Sequence, residues 1–176
     1  MDSQLKHKLD KITFEKLRRI APNILAAKRI SAADDLKPRA LPEEVAFKLT
    51  NRCDLRCHHC YQWKEGGYHR DLSPADLKTD LDLAIIDKVL TATKSIRSNI
   101  YLWGGEPLVY KHWDALVSLL EQDVRWISIC TNGTLIERRL DSLLKLSSHL
   151  EVSISIDGFE DVHNSVRGKG SYQKTL

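Results

Sequence analysis

The sequence predicts an α/β fold built on a parallel sheet. Three observations point to it. Short strand-like runs alternate with stretches whose apolar residues recur at helical spacing. The loops with unusual residues all follow strand-like runs. Within the third and fourth of those runs, apolar and polar residues alternate, so the sheet is expected to have one apolar and one polar face.

Each element follows from local pattern. Residues 3–33 read as helical, from Leu5, Leu9, Ile12 and Ile20, with Pro22 placed to start a second helix. Residues 34–44, DDLKPRALPEE, set two prolines among charged side chains and read as a linker. Residues 1–40 are therefore expected to be a helical extension and linker, and 41–176 the main domain. VAFKLT (45–50) alternates Val45, Phe47 and Leu49 with Lys48 and Thr50, as a strand does. A cysteine-rich loop follows, then a polar loop to about residue 80. Ile86, Val89, Leu90 and Thr93 mark a helix. NIYLWGGEP (99–107) is a strand ending in two glycines. Trp113, Leu116, Val117 and Leu120 mark the next helix, and WISICTNG (126–133) the third strand. Ile136, Leu140, Leu143 and Leu144 mark a third helix, and LEVSISIDG (150–158) the fourth strand. RGKGSYQKTL is expected to enter a fourth helix.

In α/β sheets and barrels the ligand site lies at the carboxyl ends of the strands. NRCDLRCHHCY, GGEP, NGT and DG are thereby directed at one place. In the fourth strand Val152, Ile154 and Ile156 share a face expected to lie under helices. Ser153, Ser155 and Asp157 share the face expected to meet a polar ligand. The third strand repeats this, with Ile127 and Ile129 opposed to Ser128, Cys130 and Asn132.

The bulk properties narrow the class. The 176 residues are 42% hydrophobic and 29% charged, a balance that supports a packed core. A net charge of +3 is too mild to argue for nucleic acid. No apolar run approaches the ~18 residues of a membrane span, and the N-terminus lacks a signal peptide's apolar segment. A cytoplasmic protein with neither nucleic acid nor membrane as partner is expected. In a reducing compartment, clustered cysteines read as metal ligands or catalytic thiols.

Cys53, Cys57 and Cys60 have the spacing C-x3-C-x2-C. A structural zinc site needs four ligands, and His58, His59 or His69 would have to supply the fourth. A thioredoxin-like pair would use Cys57 and Cys60 and leave Cys53 unexplained. An iron–sulfur cluster held by three thiolates would keep one iron open, and an open position makes a metal site catalytic.

Five features together resemble one family. CDLRCHHCY resembles the cysteine signature of the radical S-adenosylmethionine (radical SAM) superfamily. GGEP, TNGTL, SIDG and HNSVRGKGSY are similar to further motifs of that family, in its order, over roughly residues 45–176. The flavour of these motifs is most similar to the SPASM/twitch-type branch, many members of which modify ribosomally made peptides. The resemblance implies a partial (β/α) barrel of radical SAM type. It also implies a [4Fe–4S] cluster on Cys53, Cys57 and Cys60, with S-adenosylmethionine (SAM) on the open iron. Reductive cleavage of SAM would yield a 5′-deoxyadenosyl radical that abstracts hydrogen from a peptide or small-molecule substrate. The electron would come from a donor such as flavodoxin or ferredoxin.

The resemblance also assigns roles. His59 occupies the place of an aromatic near the SAM adenine, while Tyr61 is read as packing the loop. Gly104, Gly105 and Glu106 resemble the segment that receives the methionyl amine: glycines allow backbone to approach a ligand, and a carboxylate suits an ammonium group. Asn132, Ser155, Asp157 and Arg167 resemble polar residues that reach the SAM ribose or carboxylate. Asn–Gly and Asp–Gly are equally strong turn formers. Cys130 reads as a buried small residue, and GKG (168–170) has no phosphate-loop pattern around it.

Four strands are fewer than the six of this family's partial barrel. The alternative reading is therefore a truncated, catalytically incomplete iron–sulfur or metal-binding module that acts as partner or sensor.

Overall fold

A computed structural model describes residues 42–176. The helices and linker expected over residues 1–40 lie outside the described residues. Four parallel strands form one sheet in the order β1-β2-β3-β4: β1 (Glu44–Lys48), β2 (Asn99–Trp103), β3 (Ile127–Thr131) and β4 (Leu150–Ile154). Together with the helices that alternate with them, they make part of an α/β barrel. The register sets Phe47 beside Leu102, Leu102 beside Ile129, and Ile129 beside Val152. Each strand is shorter than its sequence run because the backbone leaves the ladder where the distinctive loops begin.

The helices form where the sequence supplies both an apolar stripe and a start signal. Helix α1 (Pro74–Leu77) interrupts the expected polar loop. Ser73 caps it by accepting from the Asp76 amide at 3.1 Å, and Pro74 takes the first turn, where its missing N–H costs nothing. Helix α2 (Leu83–Thr93) is capped by Asp82, which accepts from the Ala84 amide at 2.9 Å. Helices α3 (Trp113–Glu121) and α4 (Ile136–Lys145) follow β2 and β3. After β4 come α5 (Glu160–Arg167) and α6 (Ser171–Thr175). The fourth helix thus begins before RGKG rather than after it. Glu160 and Asp161 in its first turn and Arg167 in its last complement the helix dipole.

The core lies on one side of the sheet. Phe47, Leu49, Ile100, Leu102, Ile127 and Ile129 pack with Ile86, Leu90, Trp113, Leu116, Leu120, Leu143 and Leu146. The opposite face carries Lys48, Tyr101, Trp103, Ser128 and Cys130, all half-buried. The two-faced reading therefore holds for β3. It fails for β4, where Val152, Ile154 and Ile156 are 37%, 43% and 49% exposed. β4 is an edge strand of the sheet. No helix among the described residues is long and apolar enough to cross a membrane.

Beneath β3 a buried ion pair closes the helix side. Arg125 is 3% exposed. It bonds the Asp123 carboxylate, the Thr93 hydroxyl at 2.7 Å and the Leu90 carbonyl at 3.0 Å. Removing one partner of a buried pair strands the other charge. Arg125→Ala is expected to lower unfolding stability by about 3–5 kcal/mol, read by chemical denaturation at neutral pH.

Candidate functional site

The cysteine loop starts where β1 ends and is held by the ends of β2 and β3 and by α5. Leu49 still pairs with β2, its amide donating to the Trp103 carbonyl at 2.8 Å. The pairing then continues past the strand. The Gly105 amide donates to the Thr50 carbonyl and the Glu106 amide to the Arg52 carbonyl, both at 2.8 Å. This contact explains the glycines. A Cβ on Gly105 would lie 2.1 Å from the Arg52 carbonyl oxygen, and one on Gly104 would lie 2.7 Å from that of Thr50. The expected close approach of Gly–Gly to a ligand is therefore, in the first place, a close approach to the cysteine loop itself.

Glu106 binds the third strand end. Its carboxylate is buried, at 1% exposure. Oε1 accepts from the Leu108 amide at 3.0 Å and the Thr131 hydroxyl at 2.8 Å, and Oε2 accepts from the Asn132 amide at 2.8 Å. Burial pushes its pKa up, opposed by these three donors. A carboxylate has about four acceptor sites, so three are committed to the protein. The ammonium-binding role expected of Glu106 is left about one acceptor site.

Asp54 was not anticipated, yet it joins two loops. Its carboxylate accepts from the Asn132 amide group at 2.8 Å and from the Thr134 hydroxyl at 2.6 Å. The Asn132 side-chain oxygen accepts from the Thr134 amide at 2.9 Å. Asn132, expected to face a ligand, thus spends its side chain positioning the cysteine loop. The loop is also tied to α5, the His58 amide donating to the Val166 carbonyl at 3.1 Å. Arg52 grips Asp80 with contacts of 2.8 and 3.1 Å. Gln62 donates to the Gly104 carbonyl at 2.8 Å.

These elements enclose an open cavity of about 520 Å³. Cys53, Cys57, Cys60 and His59 line it from the loop. Gly104, Gly105 and Glu106 line it from the end of β2, and Asn132, Ser155 and Arg167 from beyond β3 and β4. Asp157 does not line it but holds Arg167, whose Nε and Nη2 donate to the two carboxylate oxygens. The guanidinium beside Asp157 keeps that carboxyl below its usual range, against burial. Nη1 of Arg167 has no partner among the described residues.

Several side chains differ from expectation. Cys130 is half-buried on the cavity wall rather than in the core. Tyr61 is 74% exposed, with the Lys64 ammonium 4.1 Å from its ring centroid, and does not pack the loop. Trp63 and His69 do so instead, their rings edge to face at 5.0 Å.

A zinc ion holds its thiolates at about 2.3 Å, which would draw the donors close together. Among the described residues, no three His, Cys, Asp or Glu side chains converge as a single-ion site. All four cysteines are free thiols. Burial pushes the Cys53 thiol up to about 12, and burial also raises that of Cys57. Thiolates here need a strong positive charge beside them, as iron supplies. Cys53, Cys57 and Cys60 all line the one cavity.

The comparisons decide the family. The family model described as the radical SAM superfamily matches residues 47–176. The chain belongs to the radical SAM superfamily. It is 32% identical over 134 residues to Fe-coproporphyrin III synthase of Methanosarcina barkeri, covering 75% of this chain and 32% of that protein. It is 30% identical over 138 residues to the antilisterial bacteriocin subtilosin biosynthesis protein AlbA of Bacillus subtilis, covering 77% and 29%. Its fold matches Streptococcus suis SuiB, in a crystal structure bound to precursor peptide SuiA. The TM-score is 0.59 and the identity 18%, over 89% of this chain and 32% of that one. The chain thus spans about a third of the length of the curated relatives it matches. This radical SAM chain is a homologue of SPASM/twitch-type enzymes such as AlbA.

Three outcomes test the geometry. Asp54→Ala removes the tie between the cysteine loop and the β3 loop, and is expected to cost about 1–3 kcal/mol and to lower iron retention on gel filtration. Glu106→Gln sets an amide N–H against a backbone N–H, and thermal unfolding should register a similar loss. The Asp157–Arg167 contribution is present above the unfolded carboxyl pKa of about 3.9 and disappears as pH falls through the lower folded value. Asp157→Asn should therefore flatten the acid limb of the stability–pH curve and leave the neutral limb's slope unchanged.

Proposed function

We propose that this chain is the cluster- and SAM-binding part of a radical SAM enzyme acting in peptide or protein modification. The observation that carries the reading is one cavity lined by three cysteines of a single loop and by residues from the ends of β2, β3 and β4. Cys53, Cys57 and Cys60 would hold a [4Fe–4S] cluster. What that group supplies when bound is one electron to the SAM sulfonium, which yields methionine and a 5′-deoxyadenosyl radical that takes hydrogen from substrate.

This chain's own residues bind and orient. Arg167, locked by Asp157, would offer Nη1 to the SAM carboxylate as a charge-assisted donor. The Gly104 carbonyl and the remaining acceptor site of Glu106 would receive the methionyl ammonium. Ser155 would meet polar groups of the ligand from β4. His59, on the exposed side of the loop, would lie against the adenine. Asp54 acts at one remove, by fixing the loop that carries the thiols. The peptide substrate class is supported by the relative named for subtilosin biosynthesis and by the fold shared with a protein solved with its precursor peptide. The reading places the protein in the cytoplasm, where thiols stay reduced.

Anaerobic reconstitution is expected to give about one [4Fe–4S] cluster per chain, with a visible band near ~400 nm. Cys57→Ala should abolish it, and iron retained in that variant would remove the ligand assignment. The reconstituted protein with dithionite and SAM should release 5′-deoxyadenosine. A loaded cluster that releases none would leave a binding or sensing module instead of an enzyme.

A further inference from the structure

We propose that a basic cavity beside the cysteine loop is a binding site for a phosphate group, which ties the two ends of the loop together. The inference goes beyond the proposed function and does not depend on it.

A second cavity, of about 580 Å³, lies against the cysteine loop and shares only Cys57 and Trp63 with the first. Arg56, Lys64 and Arg70 are the cations of its lining, and Glu65 is the one acid. Elsewhere Arg52, Arg125, Arg139 and Arg167 are each paired with an aspartate. Arg56, Lys64 and Arg70 have no carboxylate partner among the described residues. Arg56 is nonetheless fixed in place. Its guanidinium stacks over the Trp63 ring at 3.7 Å, and its Nη1 donates to the Cys53 carbonyl at 2.6 Å and the Leu55 carbonyl at 2.8 Å. Nε and Nη2 remain without a partner among the described residues.

The uncharged part of the wall also lacks acceptors. His69 is 1% exposed and lines the cavity. Its Nε2 lies 3.2 Å from the Lys48 ammonium. An ammonium only donates, so Nε2 accepts and the proton of the neutral ring sits on Nδ1. Burial, Lys48 and Arg56 hold the pKa of this imidazole down, which keeps it neutral. Nδ1 of His69 and Nε1 of Trp63 are both buried, and neither has a partner among the described residues. Buried donors without acceptors are unfavourable. Free cations and orphaned donors thus meet in one cavity wall, and an oxyanion is the ligand that satisfies both.

The charge selects phosphate. Three cations against one acid leave two positive charges in the lining, and a phosphate dianion matches them. Its oxygens accept from several directions, and guanidinium groups suit them, whereas a carboxylate offers one charge and acceptors in one plane. Arg56 precedes Cys57, while Lys64 and Arg70 follow Cys60. A phosphate held by all three spans the loop that carries the thiols.

The test is calorimetric titration of the reconstituted full chain with inorganic phosphate at about 50 mM salt, beside Lys64→Gln with Arg70→Gln. The unaltered protein should bind saturably, and less tightly as salt rises. The double variant should bind about tenfold more weakly or worse, with unchanged circular dichroism and cluster absorbance. Arg70→Gln alone, at an exposed position, should weaken binding in the same direction. Phosphate should raise the thermal midpoint of the unaltered protein and not that of the double variant. Glycerol phosphate that binds more tightly than inorganic phosphate identifies an organic phosphate monoester as the ligand; equal or weaker binding identifies the free ion. No saturable binding up to about 10 mM phosphate, unchanged affinity in the double variant, or acetate bound as tightly as phosphate overturns the site. Each of these leaves the proposed function standing.

Discussion

The site depends on one buried carboxylate. Glu106 takes donors from the end of β3 on both oxygens, while its own amide reaches back to the Arg52 carbonyl at the start of the cysteine loop. One residue at the end of β2 therefore fixes both neighbours. A buried carboxylate is unfavourable unless satisfied, so the three donors and the charge stabilise each other only in this arrangement. Asn132, whose amide is one of those donors, passes the constraint on through its side chain to Asp54, between the first two cysteines. The thiols are positioned by this chain of contacts rather than by contacts among themselves.

The sheet separates stability from chemistry. On the helix side, aliphatic residues of β1, β2 and β3 are sealed against α2, α3 and α4. On the other side the strands present Lys48, Tyr101, Trp103, Ser128 and Cys130, all half-buried, and Tyr101, Trp103 and Cys130 line the cavity. A parallel sheet is commonly apolar on both faces. Here one face departs from that rule and carries the polar groups a charged ligand needs. The departure grows towards β4, where even the apolar alternation ends at the surface.

The four strands and the helices between them were legible because they rest on local periodicity. Ile127 and Ile129 fell on the buried face for that reason. What escaped the sequence were partnerships between distant positions. Asp54 looks like a loop residue until Asn132 and Thr134, some 80 residues on, close over it. Asn132 and Glu106 line the cavity and also bond neighbouring loops, a second duty that a polar residue at a strand end does not announce. The exposure of Ile154 and Ile156 depends on what covers an edge strand, which alternation does not report. One miss had a readable signal: Ser73-Pro74-Ala75-Asp76 is a helix-start pattern, realised in α1.

The contact between Gly105 and Arg52 sets terms for transplanting the site. Two backbones meet there with no room for a methyl group, so no change of side chain on either partner can restore a spacing that the main chain has lost. A cysteine loop grafted onto another barrel would not carry its geometry with it. Loop and glycine-bearing strand end form one inheritable part, and a chimera that exchanges one must exchange both.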